Sequence, residues 1–321
     1  MEAQGKAIWR QPGDTQIYLI ASGQGSDEFT IAPYLKNATI HCIKGQIIQS
    51  TDLLRSDFFK DFALTERPLV SSTTELDYTS SVNKAVQAIR DNQFEKVVIA
   101  RQLTIETKVQ PEKLFQALID AYPQAFVYCF QLNNGLSMIG ATPETLLERK
   151  ENTLNTQALG GTEQTYGYSE KEYHEHQQII IDISSKLLTQ NYQFKLGETL
   201  PKKAGNVAHL STPIVIDSQS LEQDLKLVSA LHPTAAIGGL PFEPAHHFLL
   251  ENEDFDRRYY AGYLGFKHQQ NFSLYVNLRC AELYKNGAIL FAGAGINSNS
   301  IAADEWQETN NKLNTLKQFL N

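Results

Sequence analysis

Two pairs of glutamates in this 321-residue sequence are spaced so that each pair could bind a metal ion. Glu172 and Glu175 lie in the stretch EKEYHEHQQIIIDI, and Glu305 and Glu308 lie in DEWQETNNKL. Residues three apart on a helix face the same side, and carboxylate oxygens are the ligands that Mg²⁺ prefers. Two such helices side by side would present four carboxylates to one Mg²⁺. A solvent-exposed helix face is the alternative interpretation of each pair.

A lysine and a glutamate at the ends of predicted strands are candidates for acid–base chemistry. Lys96 begins the apolar strand KVVIARQLTIET, where burial would favour a neutral amine that can accept a proton. Glu144 follows Pro143 in GATPETLL, and a carboxyl group in a closed site can stay protonated and act as an acid. A surface lysine and a turn-forming glutamate are the alternative interpretations.

Four apolar segments run into small residues that would let the backbone approach a ligand. They are ALGGT (158–162), AIGGLP (236–241), YAGYLGF (260–266) and FAGAGI (291–296). Glycine at a strand end can present backbone N–H groups to an anion. None of the four matches the P-loop or the GxGxxG pattern, so the sequence does not favour nucleotide binding. Ordinary turns are the alternative interpretation.

The elements that would position these residues come in groups of strands with helices between them. Strands flank turns at 133–135 and 286–287, and FSLYVNLRCAELYKNGAILFAGAGI is interpreted as two strands. This arrangement predicts an α+β fold with large antiparallel sheets, not a doubly wound parallel sheet. Amphipathic spacing predicts helices over SSVNKAVQAIRDN, PEKLFQALIDAYP, a segment from Ser169 to about Thr189, and ADEWQETNNKLNTLKQFL.

Composition argues against several classes of function. The net charge of −8 is opposite to that of a nucleic-acid binder. No apolar run approaches the roughly 20 residues that span a bilayer, and the first residues lack the apolar core of a signal peptide. Three scattered cysteines are typical of reduced thiols. We therefore expect a cytoplasmic protein that binds neither nucleic acid nor membrane.

From about residue 75 to its end, the sequence resembles the chorismate-utilising enzymes, which include isochorismate, salicylate, anthranilate and aminodeoxychorismate synthases. The resemblance implies a single domain over residues 1–321, built from two stacked antiparallel sheets flanked by helices, with the site between them. Residues 76–321 would form the catalytic core, and residues 1–75, which align poorly, would be divergent strands of the same domain. The blocks that occur in the family's order are KVVIAR, GATPETLL, LGGT, SEKEYHEH, ALHPTAAIGGLP, YYAGYLGF, LRCAEL and GAGINSNSIAADEWQETNNKL.

The resemblance also implies roles for individual residues. Lys96 would be the catalytic base and Glu144 the catalytic acid. A Mg²⁺ ion would hold the ring carboxylate of chorismate, with Glu175 and Glu308 as direct ligands and Glu172 and Glu305 as water-mediated ones. An ion pair with Glu308 is the alternative interpretation of Lys312, which is four residues further on. The positions that match substrate contacts are Gly161, Thr162, His209, Ala236, Tyr260, Arg279, Gly293, Gly295 and Lys312.

Three positions distinguish the reactions of this family. The aminating enzymes resemble one another in having Gln where Lys96 stands, and aminodeoxychorismate synthases have a nucleophilic Lys at the position of Gly160. Salicylate synthases resemble one another in having Thr at the position of Ala236. The resemblance therefore implies water addition at C2 of chorismate with loss of the C4 hydroxyl. The product would be isochorismate, which serves menaquinone or siderophore biosynthesis.

Two alternatives remain open at this point. A salicylate synthase would form isochorismate and then eliminate pyruvate in the same pocket. A catalytically inactive relative would only bind a small acid. In the favoured interpretation the partner is the small-molecule substrate alone, no glutaminase subunit is needed, and the protein is expected to be a monomer.

Overall fold

Two antiparallel β-sheets dominate the computed structural model, which describes residues 2–35, 38–51, 58–162, 167–168, 170–204 and 207–320. The predicted α+β class with two large antiparallel sheets is confirmed. In order across the first sheet, the strands are β14 (Gly239–Leu240), β6 (Lys96–Glu106), β18 (Gly287–Ile296), β17 (Cys280–Tyr284), β8 (Ser137–Thr142), β7 (Phe126–Leu132), β1 (Gly5–Arg10), β2 (Ile17–Ala21) and β5 (Ile48–Ser50).

The second sheet also combines strands from both ends of the described chain. One described strand, β12 (Leu200–Ala204), pairs only with the strand at Val207–Asp217 and is not part of the order given next. The others, in order, are β11 (Phe194–Leu196), β13 (Val207–Asp217), β10 (Thr153–Thr162), β9 (Thr145–Lys150), β16 (Asn271–Val276), β15 (Tyr263–His268), β3 (Asp27–Ala32) and β4 (His41–Gly45).

The helices cover the sheets, and four of them follow the predicted amphipathic segments, while those at Leu221–Leu231 and Phe242–Asn252 were not predicted. The first helix begins at Glu75, ahead of the predicted segment, because the Thr74 side chain caps it by accepting from the Asp77 N–H. No helix in the described residues is long and apolar enough to cross a membrane. The helices are α1 (Glu75–Arg90), α2 (Pro111–Ala121), α3 (Glu170–Thr189), α4 (Leu221–Leu231), α5 (Phe242–Asn252) and α6 (Ala302–Lys317).

Aromatic side chains hold the two sheets face to face. Phe126 of β7 stacks on Tyr275 of β16 with ring centroids 4.1 Å apart. Trp9 of β1 meets Phe29 of β3 at 5.1 Å. These rings are fully or almost fully buried, and buried aromatic pairs contribute about 0.5–1.5 kcal/mol beyond their area. The sheets are therefore stacked, as the resemblance implies.

Two of the places at which the chain crosses from one sheet to the other are adjacent. The segment predicted as two strands, FSLYVNLRCAELYKNGAILFAGAGI, forms three, because the chain leaves the second sheet after Val276 and enters the first at Cys280. The other crossing runs from β8 to β9 and contains Glu144. The crossings are hydrogen-bonded to each other, since the Val276 N–H donates to Glu144 O and the Ala141 N–H to Arg279 O. Glu144 and Arg279 are thereby brought close to the gap between the sheets.

Candidate active site

A cavity at these crossings is lined by residues of both sheets and of two helices, α3 and α6. It brings together the predicted residues Lys96, Glu144, Gly161, Glu175, His209, Ala236, Tyr260, Arg279, Gly293, Gly295, Glu308 and Lys312. Three predicted residues are not in its lining. Glu172 and Glu305 are buried beside it. The backbone of Thr162 pairs with His209, but the Thr162 side chain lies outside the described part of the structure.

Strand alternation aims Lys96 into the cavity. Successive side chains of a strand point to opposite faces, so Lys96 and Val98 line the cavity while Val97 and Ile99 join a separate apolar cluster with residues of α1 and α5. The antiparallel neighbour β18 places Gly295 opposite Val98. A Cβ on Gly295 would lie 3.0 Å from Glu175 Oε1 and 3.1 Å from Lys96 Cε. Glycine at this position therefore leaves room for the two charged groups to meet.

Lys96 forms a close ion pair with Glu175 of α3. The distance from Lys96 Nζ to Glu175 Oε1 is 2.6 Å, and the Lys96 side chain is 3% exposed. In this structure the predicted base is therefore held by a predicted metal ligand.

Glu308 and Lys312 form the corresponding pair on α6. The ammonium of Lys312 lies 2.6 Å from Glu308 Oε1 and also donates to Gly293 O at 2.8 Å. Burial acts to raise the pKa of Glu308, but the charge of Lys312 and its hydrogen bond, with His209 and Arg279, outweigh this and lower the pKa. Glu308 is thus an anion at neutral pH. Lys312 is both a cavity residue and the helical ion-pair partner that its spacing indicated.

Glu144 has the environment of a general acid. It is 7% exposed, and burial raises its pKa to about 7, against the opposing effect of Lys96, Lys312 and Lys202. Sequence reasoning missed Lys202, whose Nζ donates to Gln157 Oε1 at 2.8 Å. Its place near Glu144 follows from the pairing of β12 with β13, which sets Lys202 opposite His209. Only the strand register could have revealed it.

Arg279 occupies a constrained position at the second crossing. Its φ is +48°, a left-handed conformation that costs a non-glycine residue roughly 1–3 kcal/mol and persists where the surroundings enforce it. The guanidinium donates from Nη1 to Thr315 Oγ1 at 2.9 Å. Burial lowers the pKa of Arg279, but the group keeps its charge at neutral pH. It therefore presents a fixed cation to the cavity.

His209 and Tyr260 complete the polar lining as neutral groups. Burial, together with the charges of Lys312 and Arg279, lowers the pKa of His209 to about 3, so the ring is uncharged at pH 7. Burial also raises the pKa of Tyr260, and its hydroxyl stays protonated. Both side chains can form hydrogen bonds without adding charge.

The donor chemistry of the cavity suits a hard cation. The described residues contain no group of three or more His, Cys, Asp or Glu side chains close enough to share an ion. Glu172 and Glu305 are buried but are not in the lining, and a Mg²⁺ site that uses all four carboxylates stays a prediction. Mg²⁺ is commonly held by one or two carboxylates with waters and substrate oxygens. Glu175 and Glu308 fit that pattern.

Fold and cavity together define an α+β protein with a charged pocket suited to a small anionic molecule. A family model described as "Chorismate binding enzyme" matches residues 18–321. The chain belongs to this family, which confirms the resemblance drawn from its motifs.

Two curated proteins and one solved structure show which members of this family the chain is similar to. The chain is 32% identical to the isochorismate synthase MenF of Haemophilus influenzae over 72% of its own length, and 29% identical to MenF of Bacillus subtilis over 79%. It spans 57% and 58% of the length of these two proteins. The menaquinone-specific isochorismate synthase MenF of Escherichia coli superposes with a TM-score of 0.81 at 21% identity, covering 99% of this chain and 89% of the other. That structural likeness shows the shared fold.

Proposed function

We propose that this protein is a Mg²⁺-dependent isochorismate synthase that converts chorismate to its isomer isochorismate. The observation that carries the proposal is the pairing of Lys96, a buried amine, with Glu144, a buried carboxyl group whose pKa is about 7, in the lining of one cavity. An acid and a base in the same closed site can move two protons in one turnover. The names of the relatives support the choice of this reaction within the family.

The proposed reaction exchanges one hydroxyl group for another. Lys96 accepts a proton from water as its oxygen bonds to C2 of chorismate, and the ring double bonds shift. The bond between C4 and its oxygen breaks, and Glu144 donates the proton with which that oxygen leaves as water. One water enters and one leaves, so the product is an isomer of the substrate. Each acid–base group would contribute roughly 10²- to 10⁴-fold to the rate.

The initial state of both catalytic groups sets a requirement. Glu144 must be protonated at the start, and its raised pKa keeps a substantial fraction in that form near pH 7. Lys96 must have a free lone pair to accept a proton from water, so its 2.6 Å contact with Glu175 has to open first. We propose that opening of this ion pair accompanies substrate binding.

The charges of the cavity suit a substrate with two carboxylates. Arg279 can hold one carboxylate in a two-point hydrogen bond, with Tyr260 beside it, and Lys312 adds a second cation. We propose that Glu175 and Glu308 hold a Mg²⁺ ion, with Glu172 and Glu305 supporting it from beside the cavity. When bound, Mg²⁺ would supply positive charge that offsets repulsion between the substrate and these glutamates. Gly161, Gly293 and Gly295 leave room for close approach, and no glutaminase subunit is required.

The test is to incubate the purified protein with chorismate and Mg²⁺ and separate the products by chromatography with fluorescence detection. We expect isochorismate alone, lost with EDTA and in Lys96→Ala. Lys226→Ala is the control, because Lys226 also pairs with a glutamate, at 2.7 Å, but lies on exposed α4 away from the cavity. Salicylate with pyruvate would show that Ala236 does not prevent elimination. Unchanged chorismate would contradict the proposal and favour a binding role.

A further inference from the structure

Within the described residues, the outer edge of β6 has no strand partner over most of its length. Its neighbour β14 has two residues, Gly239 and Leu240, which pair with Val97 and Lys96. Beyond them, the Val98 N–H donates to Gly238 O in the turn that precedes β14. Buried backbone groups need hydrogen-bond partners, so the rest of this edge must be satisfied by something other than a strand.

A buried ion pair takes the place of the missing strand. Glu253 Oε1 accepts from the Ala100 N–H at 2.8 Å, and Arg257 Nη2 donates to Val98 O at 2.5 Å. The two side chains bind each other, with 2.7 Å from Arg257 Nε to Glu253 Oε2. Both are almost completely buried, at 3% and 6% side-chain exposure. The pair thus continues the hydrogen bonding of β6 along its free edge.

The same guanidinium reaches a second wall of the cavity. Arg257 Nη1 donates to Ile237 O at 2.9 Å, within the turn that contributes Ala236 and Ile237 to the lining. The backbone oxygen of Arg257 also accepts from the Tyr260 N–H at 2.8 Å. One residue therefore contacts the strand that carries Lys96, the turn that carries Ala236 and the segment that carries Tyr260.

Glu253 balances the charge of Arg257, and the contacts of the guanidinium fix its orientation. Its guanidinium lies 4.6 Å from the centroid of the Tyr34 ring, and a bidentate contact with a carboxylate adds geometric specificity. Lysine carries the same charge on a single nitrogen and cannot make the four contacts at once. The planar guanidinium, with its several N–H donors, joins the three segments.

We propose that Arg257 and Glu253 are positioning residues that set Lys96 relative to the opposite walls of the cavity. The inference rests on the proposed function, because it assigns Lys96 the role of base. Replacing the pair by uncharged side chains would leave Val98 O, Ala100 N–H and Ile237 O without these partners. A displacement of about 1 Å in a catalytic group can cost about 100-fold in rate. We therefore expect kcat to fall far more than KM rises.

The first test compares Arg257→Lys with Arg149→Lys. Arg149 is also buried, pairs with Asp224 at 2.8 Å and donates to a backbone oxygen, that of Gln270, but neither Asp224 nor Gln270 belongs to a segment that lines the cavity. We expect both variants to lose thermal stability and only Arg257→Lys to lose kcat, by about 100-fold. Equal kcat values for the two variants would overturn the proposal.

A second variant distinguishes a displaced Lys96 from a general loss of protein stability. Arg257→Met with Glu253→Met leaves neither charge buried without its partner, so this variant is expected to fold and to keep the low kcat. Hydrogen exchange without substrate should show faster exchange at 96–100 and 234–240 in the Arg257 variants but not in Arg149→Lys. Unchanged exchange there would overturn the proposal. If the wild-type protein leaves chorismate unchanged, the proposed function fails, and the exchange data alone decide whether the pair positions these segments.

Discussion

Glu175 Oε1 lies 2.6 Å from Lys96 Nζ. The carboxylate that we propose as a metal ligand therefore forms an ion pair with the amine that we propose as the base. The second pair, Glu308 with Lys312, repeats this relationship at the same distance. Each proposed metal ligand in the cavity lining thus has a lysine as its partner in this structure. Binding of a cation and release of Lys96 therefore involve the same carboxylate.

Replacing Glu175 by Gln should weaken Mg²⁺ binding. The neutral amide removes a charged ligand, and we expect the Mg²⁺ concentration for half-maximal activity to rise by at least about tenfold. Electron paramagnetic resonance of bound Mn²⁺, measured without substrate, should show the same loss of affinity. Glu170→Gln is the control, because Glu170 is exposed on the same helix. Identical metal affinity in the two variants would show that Glu175 is not a ligand.

The stability of the protein should depend on pH through Glu144. Its pKa rises from 4.5 to about 7 on folding, so between these values the folded state binds more protons than the unfolded one. Stability from this group therefore falls as the pH rises through that window. The Glu144→Gln variant lacks the effect. The free energy of unfolding of the variant minus that of the wild type should therefore increase by about 3 kcal/mol from pH 4.5 to pH 7. Urea unfolding at a series of pH values measures the gain.

The control for this titration is Glu112→Gln, at an exposed position of α2. Its unfolding free energy should differ from the wild type by the same amount at every pH. A constant difference for Glu144→Gln as well would mean that the buried carboxyl group does not take up a proton on folding. Assays on the same samples should show that the stabilised variant has lost activity.

The bulge at Gly161 should be intolerant of a side chain. Gly161 has φ +72°, and a Cβ there would lie 2.6 Å from Glu172 O at the start of α3. Gly167 has φ +92°, and a Cβ added there would have no other described atom within 4 Å. Both alanine variants incur about 1 kcal/mol for the left-handed backbone, but only Gly161→Ala adds a steric cost of about 1–3 kcal/mol. Equal losses in urea unfolding would show that α3 can move away freely.

The contact between Thr315 and Arg279 should matter for substrate affinity. Thr315→Val keeps the shape of the side chain but removes the oxygen that accepts from Arg279 Nη1. A buried donor left without its partner costs about 1–3 kcal/mol, and a less constrained guanidinium should raise KM for chorismate more than it lowers kcat. Thr315→Ser retains the oxygen and should keep the wild-type KM. A raised KM in both variants would trace the effect to packing.

Much of the fold could be predicted because its signals are local. The third helix was expected from Ser169 to about Thr189 and spans Glu170–Thr189, since its apolar face repeats with helical period. The crossings between sheets could not be predicted in the same way. β16 and β17 are almost completely buried, and residues 277–279 between them contain no glycine or proline that would mark the change of sheet.

The sequence predicted most of the charged residues that line the cavity, but not which of them form ion pairs with one another. The motifs identified Lys96 and Glu175 separately, yet the two residues are 79 positions apart and only the fold brings them together. The same holds for Arg257, whose contacts with Val98 O and Ile237 O depend on where β14 begins. Backbone contacts of this kind leave no pattern in the sequence.

The most direct test of the proposed chemistry is the origin of the hydroxyl oxygen at C2. The wild-type protein would be incubated with chorismate and Mg²⁺ in H₂¹⁸O, and the isochorismate analysed by mass spectrometry. Addition of water by Lys96 predicts one ¹⁸O in each product molecule, with formation of product lost in Lys96→Ala. Unlabelled isochorismate would show that the hydroxyl moves within the substrate and would contradict the role of Lys96 in activating water.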